Sequence, residues 1–375
     1  MKIVADDKIP FLRGVLEPFA EIRYFPGREI DNSVVKGADA LLIRTRTRCD
    51  ETLLKNSGVK FIGTATIGFD HIDTACCEER NIFWTNAPGC NSSSVRQYIA
   101  SALLNISAFS GFSLSGKTIG IIGVGNVGSK VEQLATALGM NILLNDPPRA
   151  GREGPARFTD LDRLLKDSDI LTVHVPLATT GGDRTFHLFD GNLFNSMKRG
   201  AWFINSSRGE VVDTDSLKKA LAGGQLAGAV TDVWEAEPEI DAELLDMVFI
   251  GTPHIAGYST DGKANGTAMV VNSLCRFFNL PLQNWYPENI PAPDRPVIEI
   301  KCGGKSDEEV LREAILHTYD IRIDDSRLRA DLKDFEKLRG SYPVRREFAS
   351  YTVKPGNIPS GVAGILKKIG FNIPL

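Results

Sequence analysis

The tightest constraint on the fold lies between residues 117 and 251, where short apolar runs and amphipathic stretches alternate. TIGIIG reads as a buried strand, NVGSKVEQLATALG as a helix and NILLND as a strand. Within that helix Val127, Val131, Leu134, Ala135 and Leu138 share one face at the 3.6-residue period. FTDLDRLLKDSD, the stretch from Asp190 to Lys198, and a stretch capped by Asp213 or Thr214 and ended by Gly223 and Gly224 continue the series as helices. ILTVHVPL, AWFINSS, LAGAVTDVW and MVFIGT continue it as strands. Repetition of this kind predicts an α/β fold with a mostly parallel sheet covered on both faces.

Before this block KIVAD, ADALLIR and KFIGTAT read as further buried strands. Two long helices flank the block: a capped amphipathic one over 91–110 and another over about 260–279. They suggest a hinge and a discontinuous first domain, residues 1–95 with 258–285, around a domain spanning 96–257. PLQNWYPENIPAPDRP, with five prolines, reads as a linker. Residues 286–375 then form a smaller third domain of charged, helix-like stretches, SDEEVLREAILHTYDI and RADLKDFEKLRGSY. Pro355, Gly356, Pro359 and Gly361 suggest that it ends in an irregular tail.

Composition narrows the function classes. The formal net charge of −4 leaves no whole-chain footprint for nucleic acid. No apolar run approaches the roughly 20 residues that span a bilayer. MKIVADDKIPF is not a targeting segment, so a soluble cytoplasmic protein with no membrane partner is expected. The cysteines, Cys49, Cys76, Cys77, Cys90, Cys275 and Cys302, contain no C-x-x-C pair. They read as reduced thiols rather than disulfides or metal ligands.

GVGNVG, residues 123–128, sits between the first strand and helix of the block and fits a dinucleotide-binding turn. Gly123 would permit the tight turn, Gly125 the approach of a pyrophosphate, and Gly128 close helix–strand packing. The helix N-terminus would favour the phosphate charge. Asp146 ends the next strand and can accept hydrogen bonds from ribose hydroxyls while repelling an extra phosphate, which favours NAD over NADP. Arg149 nearby keeps NADP open.

Three later strands end in INSSRGEVVD, TDVWEAEP and TPHIAGYS. Oxidation of a secondary alcohol needs a base for the hydroxyl proton and a cation for a carboxylate and the developing carbonyl. His254 suits the first task because imidazole titrates near neutral pH, and Arg208 the second because its fork matches a carboxylate. Glu237 can orient His254 and favour its charged form. His174 lies within a buried strand and reads as a satisfied structural imidazole. No histidine–carboxylate spacing resembles a metal site.

In order, GVGNVG, HVPL, NSSRGEVVD, DVWEAEP and TPHIAGYS resemble the D-isomer-specific 2-hydroxyacid dehydrogenase family over about residues 40–280. The resemblance implies a Rossmann-type NAD-binding domain inserted in a flavodoxin-like substrate domain. It implies catalytic roles for Arg208, Glu237 and His254, and cofactor contacts from Asn126, Val127, Asp146, Val175, Ser206, Asp232 and Gly257. Arg96–Gln97 departs from the Ala-Glu of many relatives and reads as variation near the hinge.

LLIRTRTRCD bears on the substrate. If the segment is extended, Arg44, Arg46 and Arg48 share one face and Thr45 and Thr47 the other. Such a row is either a solvated edge or a pocket for a small anion, with Thr66 and the Gly68 turn as further donors. IRTRT, GTATIGFDHID, NAPGCNSSSV and HIAGYS, together with YDIRIDDSRLR and FEKLRGSYPVRREF in the tail, are similar to a branch of the family that acts on a small phosphorylated 2-hydroxy acid. That likeness implies substrate contacts at Thr45, Thr66 and Tyr258, with Arg44 and Arg46 as phosphate candidates. It also implies an α+β C-terminal domain that pairs two chains into a homodimer. Arg345 and Arg346 could reach a partner's site across such a dimer or form a solvated charge pair. The alternatives are a dehydrogenase for 3-phosphoglycerate or for a non-phosphorylated acid, and an NAD-sensing binding protein.

Overall fold

In the computed structural model, which describes residues 1–354 and 358–374, the chain divides into two compact units. The first comprises Met1–Asn91 and Ser259–Pro291, the second Ser92–Tyr258 and Ala292–Leu375.

In the first unit Lys2–Asp6 (β1), Glu21–Phe25 (β2), Ala40–Ile43 (β3), Phe61–Thr64 (β4) and Phe83–Thr85 (β5) form one sheet in the order β2-β1-β3-β4-β5. Every pairing is parallel. This is the flavodoxin-like order, in which ligands gather at the C-terminal strand ends. All residues of β3 and β4 are buried, as the apolar runs required. The edge strands β2 and β5 are half exposed and carry no comparable apolar signal. The Thr260–Phe277 helix buries Val270, Val271 and Leu274 against Ile3, Ala5, Leu42 and Phe61.

In the second unit Thr118–Ile122 (β6), Asn141–Asn145 (β7), Ile170–Val173 (β8), Ala201–Asn205 (β9), Leu226–Thr231 (β10) and Ile250–Gly251 (β11) form a sheet ordered β11-β10-β9-β8-β6-β7. It too is wholly parallel. Strand order reverses between β6 and β8, so the crevice at a topological switch point opens beyond these two strands, where GVGNVG and HVPL lie.

The C-terminal segment packs onto this sheet unit. It contains helices Asp307–Thr318, Ile321–Ala330, Phe335–Gly340 and Ser360–Lys368 and a parallel pair of short strands, Val297–Ile298 with Thr352–Val353. Val310, Ala314, Ile315, Ile321, Phe348 and Leu366 share one apolar core with Tyr98, Ile99 and Leu103 of the Ser92–Ser110 helix. That helix is therefore not the one-sided amphipathic element its pattern suggested. Fifteen of its residues are buried, because the C-terminal segment covers its second face. Gln97 Nε2 donates to Thr318 Oγ1 at 3.0 Å and to the Arg346 carbonyl at 2.9 Å, and the Arg96 guanidinium lies over the Phe348 ring. The Arg96–Gln97 departure thus serves this packing.

The tail expected to be irregular contains the Ser360–Lys368 helix, anchored by buried Val362 and Leu366 one turn apart. Pro359 immediately precedes it, and Gly361 lies inside it. Pro355 and Gly356 lie outside the described residues. At the β11 edge Asp325 Oδ1 accepts from Gly251 N at 2.7 Å. Arg329 binds that carboxylate and the carbonyls of Leu245 and Val248.

Candidate active site

The glycine turn is shaped by close approach. Gly123 has φ +84°, and a Cβ there would stand 2.5 Å from the His174 carbonyl oxygen. A Cβ on Gly128 would stand 2.0 Å from the Gly123 carbonyl oxygen. Around Gly125 the space is open. The Asn126–Ala137 helix starts inside the motif and directs its N-terminus, with Asn126 and Val127, toward that space. Asp146 Oδ2 accepts from Val124 N at 2.8 Å and its Oδ1 from Arg149 N at 2.9 Å, which fixes the carboxylate beside the turn. Arg149 is committed to Glu153, at 2.7 and 2.8 Å, and to the Val124 carbonyl. It is thereby held away from the role that would have kept NADP open.

Ser206, after β9, has a buried Oγ with no protein partner, and Val175 follows β8 close to Gly123. An open cradle over a helix N-terminus, a fixed acid and an orphaned hydroxyl fit NAD. His174 is only half satisfied. Its Nε2 meets Thr172 Oγ1 at 3.0 Å while Nδ1 is buried without a partner, and burial pushes the ring down to about 3, so it stays neutral.

Arg208, Glu237 and His254 follow the adjacent strands β9, β10 and β11. Asn205 shapes the first loop: its Nδ2 donates to the Arg208 carbonyl at 3.0 Å and its Oδ1 accepts from Ser207. Gly209 then lets that loop touch the next, since a Cβ would stand 2.0 Å from the Trp234 carbonyl. Glu237 Oε1 accepts from Trp234 N at 3.0 Å, and Oε2 accepts from His254 Nδ1 at 2.7 Å. Nδ1 therefore carries the proton, and Nε2 is left as the basic atom. Burial alone would raise the Glu237 carboxyl, but the His254 ring, the Trp234 N–H and the Arg339 guanidinium together hold it below its usual range.

His254 adopts φ +55°, a left-handed conformation costing on the order of 1 kcal/mol for a non-glycine residue. Its N–H donates to the Asp232 carbonyl at 2.7 Å. The Asp232 carboxylate accepts from Thr252 Oγ1, Ile255 N and Ala256 N at 2.6–2.8 Å. As placed here, Asp232 secures the loop carrying His254, Gly257 and Tyr258.

In the first unit Arg44, Thr45 and Arg46 lie just past β3, and Thr66 just past its neighbour β4. The arginine row does not extend. The strand ends at Ile43, Thr47 N closes a turn onto the Arg44 carbonyl, and buried Thr47 Oγ1 donates to the Gly27 carbonyl at 2.8 Å. Arg44 reaches the Lys8 carbonyl at 3.2 Å and Arg48 pairs with Asp50, so these two arginines point to different partners. Thr66 Oγ1 bonds to Gly68 O and Thr64 Oγ1.

Arg345 is neither solvated nor available to a partner chain. It is 4% exposed, stacks on Tyr319 and donates to Ser94 Oγ and to the Ala256 carbonyl. Sequence reasoning missed Arg339. Its Nη1 lies 4.0 Å from Glu237 Oε2 and its guanidinium over the Tyr258 ring. No local pattern marks it among the charged residues of its helix. The histidine–carboxylate contact of His187 with Glu235, 2.7 Å, was likewise missed. Among the described residues no cluster of histidine, cysteine and acidic groups could hold a metal ion, and no helix is long and apolar enough to cross a membrane.

The model for the D-isomer specific 2-hydroxyacid dehydrogenase NAD-binding domain matches residues 92–256, and a domain of unknown function matches 292–370. The D-lactate dehydrogenase of Aquifex aeolicus, solved with NAD and lactic acid, is 27% identical at a TM-score of 0.60 over 74% of this chain and 95% of that one. The TT0316 protein of Thermus thermophilus is 26% identical at 0.63, over 77% and 100%. Fold and site thus define an NAD-dependent dehydrogenase of the 2-hydroxyacid class. An erythronate-4-phosphate dehydrogenase of Bacteroides fragilis is 51% identical over 94% of this chain and 99% of that protein. Its counterpart in Escherichia coli is 42% identical over 99% and 98%. The chain belongs to the erythronate-4-phosphate dehydrogenase family.

The glycine turn gives a direct test of cofactor binding. Gly128→Ala drives a methyl group into the Gly123 carbonyl and should weaken NADH binding by about tenfold or more, read by fluorescence titration. An unchanged affinity would remove the turn from the cofactor site.

Proposed function

We propose that the chain oxidises 4-phospho-D-erythronate at its 2-hydroxyl to 2-oxo-3-hydroxy-4-phosphobutanoate, a step of pyridoxal phosphate biosynthesis in the cytoplasm. The observation that carries this reading is the 2.7 Å contact between His254 Nδ1 and Glu237 Oε2, beside the Arg208 loop, in a chain of this family. NAD, when bound, supplies the acceptor for the hydrogen and electron pair leaving C2.

The chain's own residues do the rest. His254 Nε2 takes the hydroxyl proton. Glu237 holds the Nδ1 proton and stabilises the imidazolium that forms. Arg208 holds the substrate carboxylate and polarises the oxygen that becomes the carbonyl. Arg44, Thr45, Arg46 and Thr66, at neighbouring strand ends of the first unit, are assigned to the phosphate, and Tyr258 to the substrate. Asn126, Val127, Val175, Ser206, Asp232 and Gly257 join the glycine turn and Asp146 in holding the cofactor. The residue ranges 1–95 with 258–285, 96–257 and 286–375 act as substrate-binding, NAD-binding and dimerisation domains. Support for the last comes from Ile323 and Val344, each more than half exposed in the C-terminal segment.

The test is absorbance of NADH formed from NAD with 4-phosphoerythronate, 3-phosphoglycerate or D-lactate. Turnover with the first is expected. Turnover with 3-phosphoglycerate alone would overturn the reading.

A further inference from the structure

The C-terminal segment does more at this site than the pairing of chains assigned to it. Three of its side chains meet the loops that carry the catalytic groups. Arg345 donates to the Ala256 carbonyl, two residues after His254. Tyr342 stands edge-on to Tyr258, with ring centroids 5.9 Å apart, and anchors its hydroxyl on buried Asp324 at 2.6 Å. Arg339 comes closest to the chemistry: Nη1 lies 4.0 Å from Glu237 Oε2, the oxygen that accepts the His254 hydrogen bond. The same nitrogen lies 3.3 Å from Glu336 Oε1, and the guanidinium covers the Tyr258 ring at 5.7 Å. The Nε of Arg339 is buried without a protein partner.

We infer that Arg339 is a positioning residue for the Glu237–His254 pair, so that the C-terminal segment is part of the catalytic centre of its own chain. This rests on the acid–base reading of His254 given above. A cation on the far side of Glu237 withdraws part of the field that would otherwise trap a proton on His254. The Arg339 charge is also one of the causes that hold the Glu237 carboxyl below its usual range. The charged and titratable groups facing the pair are Arg339 and, behind it, Glu336 from the C-terminal segment, Asp232 from the β10 end, and Tyr258 from the His254 loop. Only the first two can be altered without touching the cofactor or loop-holding groups.

The sign follows from charge. In the oxidation direction His254 must be unprotonated, so the acidic limb of kcat/KM reports proton binding to the pair. Arg339→Gln removes a positive charge and should move that limb up by about 0.5 pH unit or more, with Arg339→Lys restoring most of the position. Glu336→Gln removes a negative charge and should move the limb the other way. Opposite displacements from two neighbouring variants would not come from loosened packing. NADH affinity and melting temperature, measured on the full-length variants, identify any that fails to fold. Wild-type turnover of 4-phosphoerythronate with an unmoved acidic limb in both variants overturns the role of Arg339. A wild-type protein inactive on that acid overturns the functional reading, and this inference with it.

Discussion

His254→Ala should bind NADH with wild-type affinity and lose turnover by about 100-fold or more, the usual weight of a general base. Cofactor binding survives because the glycine turn, Asp146 and Ser206 lie on other loops of the sheet unit. The expected loss is in kcat as well as kcat/KM, since the proton leaves the hydroxyl only in the transition state. Retained activity would remove His254 from its role. The alanine also relieves little strain, because the backbone at φ +55° is still fixed by the Asp232 carbonyl.

Arg208→Gln should lower kcat/KM by about 100- to 1000-fold, the range lost when a donor to a developing oxyanion is removed. Part of the loss should appear as a raised KM, because the same guanidinium is assigned to the substrate carboxylate. Arg208→Lys should recover only a fraction, as a point charge cannot make two parallel hydrogen bonds. Steady-state kinetics with 4-phosphoerythronate separates the two components. A variant with unchanged KM and kcat would leave Arg208 a surface residue.

The parts of this site that were legible in the sequence are those whose signal is local. GVGNVG could be read because a tight turn, a phosphate approach and a helix start each demand a residue at a fixed offset. The placement of Arg208, Glu237 and His254 at strand ends could be read because each follows a buried run that had to be a strand. The path of the chain after Ile43 was not legible for the opposite reason. Thr47 turns inward to a carbonyl at Gly27, twenty residues away, and no spacing within IRTRT announces that partner. The Ser92–Ser110 helix looked one-sided because the residues covering its second face come some two hundred positions later. Arg339 stayed hidden for the same cause. Its short helix has the charge density of a solvated one, and only the assembled fold brings it to Glu237.

The contact of Asp325 and Arg329 with the β11 edge bears on how the chain fares in the cell. Until residues 321–330 have been made, Gly251 N–H and the carbonyls of Leu245 and Val248 lack these partners, and the outer strand of the sheet offers a template for strand addition. A chain that stops short of that helix leaves a sticky sheet border and an uncovered Ser92–Ser110 helix. Premature termination is therefore expected to yield an aggregation-prone fragment and not a smaller working enzyme, which light scattering of a chain ending before Ile321 would check.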